Sequence, residues 1–168
     1  MRIAGLIQDS IVDGPGLRYA VYVQGCGFNC EGCHNPETWD PEAGTEMPVD
    51  KIIKEMLSNP LTDGLTLSGG EPFDQASDCL KLAAAANENG LKVWIFTGRT
   101  FEELLTEAKT KPVIKELLDK TDVIVDGRFL VAERTHALKW CGSKNQKVIN
   151  ARKSLISGKG ELYCESKS

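Results

Sequence analysis

Apolar residues along this chain fall in short runs, separated by polar clusters that carry glycine. Six runs read as strands. Ile3 to Gln8 and Arg18 to Gln24 are rich in β-formers, with the turn-like Asp13-Gly14-Pro15-Gly16 between them. Leu65 to Leu67, Val93 to Phe96, Asp122 to Val125 and Lys147 to Ile149 are shorter strands of the same kind. Three segments have helical spacing instead. Val49 to Leu57 is one, with Asp50 near its start, and Phe73 to Asn89 is the second, stopped by Gly90. Phe101 to Leu118 is the third, in two pieces broken at Pro112.

Strands that alternate with helices predict βαβ units and an α/β fold with a mainly parallel sheet. Most of the strands end in a glycine-bearing polar cluster: Gly25-Cys26, Gly69-Gly70-Glu71, Gly98-Arg99 and Gly127-Arg128. In parallel α/β folds ligands bind at the carboxyl ends of strands, so these clusters should converge on one face. A full eight-unit barrel takes about 250 residues. This chain has 168, so a partial, open βα barrel fits better. No repeat or low-complexity linker divides it, and we expect one domain over 1–168, with roughly the last 15 residues a loose tail.

Composition narrows the class. The chain is 41% hydrophobic and 26% charged, as a soluble globular protein would be. Its net charge of −4 argues against a nucleic-acid surface. No apolar run approaches the roughly 18 residues of a membrane helix. The N-terminus meets Asp9 too early for a secretory signal. The expected place is the cytoplasm, where six cysteines need not pair.

Three of those cysteines, Cys26, Cys30 and Cys33, fall within eight residues. A closed iron–sulfur or zinc site usually takes four ligands. Three readings compete: a four-iron cluster with one iron left open, a zinc site completed by His34 or a distant Cys, and three free thiols. Zinc motifs usually come as two separated Cys-x-x-Cys arms, and no second arm exists here. His34 directly follows Cys33 and would strain to bind the same metal.

Cys26-x-x-x-Cys30-x-x-Cys33, followed by Gly69-Gly70-Glu71-Pro72 after a strand, resembles the radical S-adenosylmethionine enzymes. Asp13-Gly14-Pro15-Gly16-Leu17-Arg18 and Cys33-His34-Asn35 resemble the glycyl-radical-enzyme activases among them. Thr97-Gly98-Arg99, Asp126-Gly127-Arg128-Phe129 and Gly142-Ser143-Lys144-Asn145-Gln146 are similar to the small activases of anaerobic ribonucleoside-triphosphate reductase. The resemblance runs from about residue 3 to residue 150. It implies one [4Fe-4S] cluster on Cys26, Cys30 and Cys33, and S-adenosyl-L-methionine contacts from Gly32, Cys33, His34, Gly69 and Gly70, with Glu71 supporting the same segment. It also implies reductive cleavage of S-adenosylmethionine, hydrogen abstraction from a glycine of the reductase, and reduced flavodoxin or ferredoxin as electron donor. No acid–base catalytic residue is expected, because the oxidant is a carbon radical.

Rival readings are an activase of the pyruvate formate-lyase type, a radical enzyme acting on a small molecule, and a zinc-binding interaction module. Gly32 stands where the pyruvate formate-lyase group tends to carry an aromatic. Arg99 and Arg128 are candidates for the S-adenosylmethionine carboxylate or for a partner, and Asn145 and Gln146 for ligand or partner. Asp13 and Arg18 are expected to pair locally. Cys79 reads as a buried thiol on an apolar helix face, Cys141 replaces an Arg that the family leads one to expect, Cys164 lies in the tail, and His136 reads as ordinary.

Overall fold

The computed structural model describes residues 1–164. Its elements, in chain order, are β1 (Arg2–Ser10), β2 (Arg18–Val23), β3 (Thr45–Glu46), α1 (Val49–Met56), β4 (Gly64–Gly69), α2 (Ala76–Glu88) and β5 (Lys92–Phe96). There follow α3 (Phe101–Ala108), α4 (Pro112–Asp119), β6 (Val123–Asp126), β7 (Lys147–Asn150) and α5 (Ala151–Ser157). The seven strands form one sheet in the order β3-β1-β2-β4-β5-β6-β7. β2, β4, β5 and β6 are parallel neighbours. The central sheet is therefore mostly parallel, and it does not close: β3 and β7 are its edges.

The outer strands run antiparallel, which the alternation rule does not predict. The cause is the connections. A parallel neighbour needs a long crossover, usually a helix. The seven-residue link between β1 and β2 holds no helix, and no α-helix lies between β6 and β7, so in both places the chain doubles back.

Alternate strand residues divide the faces. Tyr19, Val21 and Val23, Leu65 and Leu67, and Val93 and Ile95 join residues of all five helices in the main core. Each such buried aliphatic side chain is worth about 1.5–3 kcal/mol. Tyr22, Thr66, Ser68, Trp94, Phe96 and Val125 take the opposite face, where loops close over them.

Helix boundaries follow local chemistry. Thr100 and Glu103 make a reciprocal capping box at the start of α3. Pro112 opens α4 at a position that needs no N–H. The segment from Phe73, expected as helix, begins as a 3-10 turn over Pro72–Gln75 before α2.

α5 was not anticipated, because its apolar face is short. Asn150 caps it and Gly158 ends it. Beyond it, Tyr163 donates its N–H to Val148 O at 2.8 Å and stacks edge-on against Trp94, with ring centres 5.3 Å apart. Most of the segment expected as a loose tail thus packs back onto β7; residues 165–168 lie outside the described residues.

Arg18 also departs from expectation. It does not pair with Asp13. Its guanidinium is buried beside Trp94 and donates to Thr66 Oγ1 at 3.0 Å, Leu65 O at 2.6 Å and Lys92 O at 2.9 Å. Burial pulls its pKa down to about 10, which still leaves it charged at neutral pH. Asp13 instead accepts from Ser10 Oγ and from Tyr22 OH at 2.9 Å.

Candidate functional site

A cavity of about 340 Å3 opens at the carboxyl ends of β2, β4, β5 and β6. Cys26, Cys30, Cys33, His34, Gly69 and Gly70 all line it, together with Phe28, Thr97, Gly98, Phe129, Trp140 and Gln146. Strand ends far apart in sequence therefore converge as the parallel topology requires.

The cysteine loop is pinned at its two ends. Gly25 N–H donates to Thr38 O at 2.8 Å and Cys26 N–H to Trp39 O at 3.1 Å. The Gln24 side chain donates to Glu37 O at 2.9 Å and Asp40 O at 2.8 Å. Inside the loop, Cys33 N–H donates to Cys30 O at 3.1 Å, and Asn35 N–H lies 3.4 Å from Cys33 Sγ. The loop is also tied to the turn after β4. Gly70 N–H donates to Val23 O and Glu71 N–H to Gly25 O, each at 2.8 Å. A side chain at Gly70 would collide with Gly25 O, so this close approach requires glycine there.

The three thiols are half-buried, and burial pushes the Cys26 thiol up, reinforced by Glu71 and Cys30 and opposed by the N–H groups of Phe28 and Asn29. Among the described residues, no three His, Cys, Asp or Glu side chains converge as one metal ion would require. Three soft sulfur donors spread along one cavity wall suit a polynuclear cluster, in which each thiolate takes a different iron. The donor set and the adjoining space fit such a group.

Two expected contacts lie off the cavity wall. Gly32 is exposed and packs toward Phe129 and Val131. Glu71 is 1% exposed and lies beneath the turns. It accepts from Thr97 Oγ1 at 2.9 Å, Gly98 N–H at 3.0 Å and Phe73 N–H at 3.0 Å. Its place supports the segment, and its carboxylate does not face the cavity.

Arg99 is engaged by Glu71, Asp74 and Glu107. Arg128 is exposed, with its guanidinium 4.5 Å from the Phe28 ring centre. Gln146 accepts from Gly142 N–H at 2.8 Å and donates to Gly127 O at 2.8 Å. Asn145 donates to Arg128 O at 2.9 Å. Both side chains brace the loop from Gly127 to Gln146, and Gln146 also reaches the cavity.

Cys79 is fully buried in the main core and Cys141 is buried beside Gln146 O, while Cys164 and His136 are exposed. Phe28 is a site residue that sequence reading missed, as is Trp140. The only signal for Phe28 was its place between Cys26 and Cys30.

Residues 12–149 match the family model of the 4Fe-4S single cluster domain. The anaerobic ribonucleoside-triphosphate reductase-activating protein of Escherichia coli (strain K12) is 34% identical over 152 residues, covering 84% of this chain and 94% of that protein. The Vibrio cholerae protein of the same name is 35% identical over 144 residues, covering 81% and 89%. The pyruvate formate-lyase-activating enzyme of Staphylococcus aureus (strain USA300) is 42% identical over 110 residues, covering 55% and 44%. This chain belongs to the family of anaerobic ribonucleoside-triphosphate reductase-activating proteins, within the 4Fe-4S single cluster class. Its relatives are named as activators of anaerobic ribonucleoside-triphosphate reductase and of pyruvate formate-lyase, and the family supports a [4Fe-4S] cluster here. No helix among the described residues is long and apolar enough to cross a membrane.

Proposed function

We propose that this chain is a radical S-adenosylmethionine activase, a single domain over 1–168 built as an open partial βα barrel, that generates the glycyl radical of an anaerobic ribonucleoside-triphosphate reductase in the cytoplasm. The observation that carries the reading is the meeting of Cys26, Cys30 and Cys33 with the Gly69-Gly70 turn around one cavity. Cys26, Cys30 and Cys33 would hold the cluster. Gly69, Gly70, Cys33 and His34 would border S-adenosylmethionine, with Gly32 and Glu71 shaping the segments behind them.

Held by Cys26, Cys30 and Cys33, the cluster would supply one electron for reductive C–S cleavage of S-adenosylmethionine, and the resulting 5′-deoxyadenosyl group would be the oxidant that takes a hydrogen atom from the partner's glycine. The chain's own residues hold the loops and wall off water. Phe28, Phe129 and Trp140 furnish apolar lining, and Glu71 ties the turns after β4 and β5 together. Reduced flavodoxin or ferredoxin is the proposed electron source. No nucleic acid or membrane takes part.

The test is electron paramagnetic resonance of the reductase catalytic subunit after incubation with the reconstituted, reduced protein and S-adenosylmethionine. A glycyl radical on the reductase is expected. Its absence there, with a radical on pyruvate formate-lyase under the same conditions, would reassign the partner.

A further inference from the structure

The cavity's size bounds what enters it. At about 340 Å3 it is near the small end of ligand pockets and has room for one such molecule. On the functional reading above, on which this inference rests, the cluster on Cys26, Cys30 and Cys33 and S-adenosylmethionine together occupy it. The glycine to be oxidised must then be presented at the mouth by a partner.

One rim of the mouth is locally basic. Between Arg128 and Lys147 the chain has five Lys or Arg and a single acid, Glu133, although the whole protein carries a net −4. Arg128, Arg134 and Lys144 are exposed and form no ion pair among the described residues. Leu130, Val131 and Leu138, each more than 40% exposed, lie among these cations. Phe129, Trp140, Gly142 and Gln146 of the same loop line the cavity, so this surface runs directly into the site.

The loop is also a built shape. Ser143, fully buried, accepts from Leu130 N–H at 3.2 Å and donates to Asn145 at 2.7 Å. Lys144 N–H donates to Glu133 O at 2.9 Å, and Thr135 N–H to Gly142 O at 3.0 Å. A braced loop loses little freedom on docking. A partner with an acidic segment beside its glycine is drawn to the exposed Arg128, Arg134 and Lys144.

We propose that the loop from Arg128 to Lys144 is the docking surface for an acidic, partly apolar segment of the glycyl-radical partner, and that Arg134 and Lys144 set its affinity. Neither side chain lines the cavity.

The test compares wild type with R134E/K144E and the milder R134Q/K144Q. Dithionite-driven 5′-deoxyadenosine formation without partner reports on the folded, loaded protein. Glycyl radical formation against reductase concentration reports on docking. We expect cleavage without partner to stay within about twofold, and the half-saturating reductase concentration to rise about tenfold or more in R134E/K144E at low salt, less in R134Q/K144Q. The wild-type value should itself rise with ionic strength, as screening requires. Unchanged half-saturation would overturn the proposal. So would a dimer of this chain that the charge reversals dissociate without affecting radical transfer. Absence of any glycyl radical in the wild type would instead fail the functional reading beneath it.

Discussion

Arg99 brings its guanidinium to within 3.1 Å of the Glu71 carboxylate, and that ion pair joins the turn after β4 to the turn after β5. The contact is ionic rather than an aligned hydrogen bond, since Arg99 Nη1 has no hydrogen-bond partner. The rest of the guanidinium is occupied: Nε lies 2.8 Å from Glu107 and Nη2 2.7 Å from Asp74. Burial pushes the Glu71 carboxyl above its usual range, and Arg99 is the foremost counterweight. Removing one partner is then not equivalent to removing the other. Arg99→Ala leaves a buried carboxylate without its cation and should cost about 3–5 kcal/mol. Glu71→Gln leaves Arg99 with two carboxylates and should cost about 1–3 kcal/mol. Urea unfolding of the two cluster-free variants measures the difference, and equal or inverted losses would contradict this arrangement.

Phe28 lies against Gly98, so close that a methyl group on Gly98 would overlap its ring. The Phe28 ring is also flanked by the guanidinium groups of Arg128 and Arg99, 4.5 and 5.7 Å from its centre. Gly98→Ala must therefore displace the loop between Cys26 and Cys30. Reconstituted Gly98→Ala should bind less than half the iron and sulfide of wild type, while the apo protein keeps its far-ultraviolet circular dichroism. Full cluster content would show that the Phe28 contact does not position the cysteine loop.

Arg18 holds β2, β4 and the start of β5 together through one buried guanidinium. Arg18→Met would leave two carbonyls and a hydroxyl without that donor, a loss of about 3 kcal/mol. For a chain of this length that lowers Tm by roughly 6–12 °C. Lysine has no planar fork, so Arg18→Lys should recover less than half of the loss. Differential scanning calorimetry decides it; a shift under two degrees for Arg18→Met would show the network to be dispensable.

Glu107 gives a pH signature. The hydrogen bond from Lys111 holds its carboxyl below the ordinary 4.5, burial opposes this, and Arg99 adds to it. A depressed folded pKa means that the unfolded chain binds the proton more readily. The stabilisation is complete above about pH 4.5 and is lost as pH falls through the lower folded value. Glu107→Gln should thus be less stable than wild type at pH 7, by under about 1 kcal/mol, with the gap closing in acid. A gap independent of pH would remove Glu107 from this role.

The parallel strands were legible because each is a short apolar run ending in glycine, and the convergence of those ends follows from topology alone. The antiparallel edges were not, since direction depends on whether a connection has room for a helix. Cys26, Cys30 and Cys33 declare themselves by spacing, whereas Phe28 acts through Gly98, seventy positions away, and carries no local pattern. Arg18 shows the same limit: its charge suggested Asp13, but its partners are two backbone carbonyls and the Thr66 hydroxyl, brought near only by strand pairing. Asn145 and Gln146 were visible as candidates for ligand or partner, yet their use as braces depends on the fold of the entire loop.

The central claim is tested by anaerobic reconstitution with iron and sulfide, then dithionite and S-adenosylmethionine, with 5′-deoxyadenosine as the readout. Wild type should form a [4Fe-4S] cluster and the product. Cys26→Ala, Cys30→Ala and Cys33→Ala should each lose both, and Cys79→Ala and Cys141→Ala should lose neither. Zinc in place of the cluster with no product, or a Cys30→Ala protein that keeps a full cluster and cleaves S-adenosylmethionine, would contradict the account.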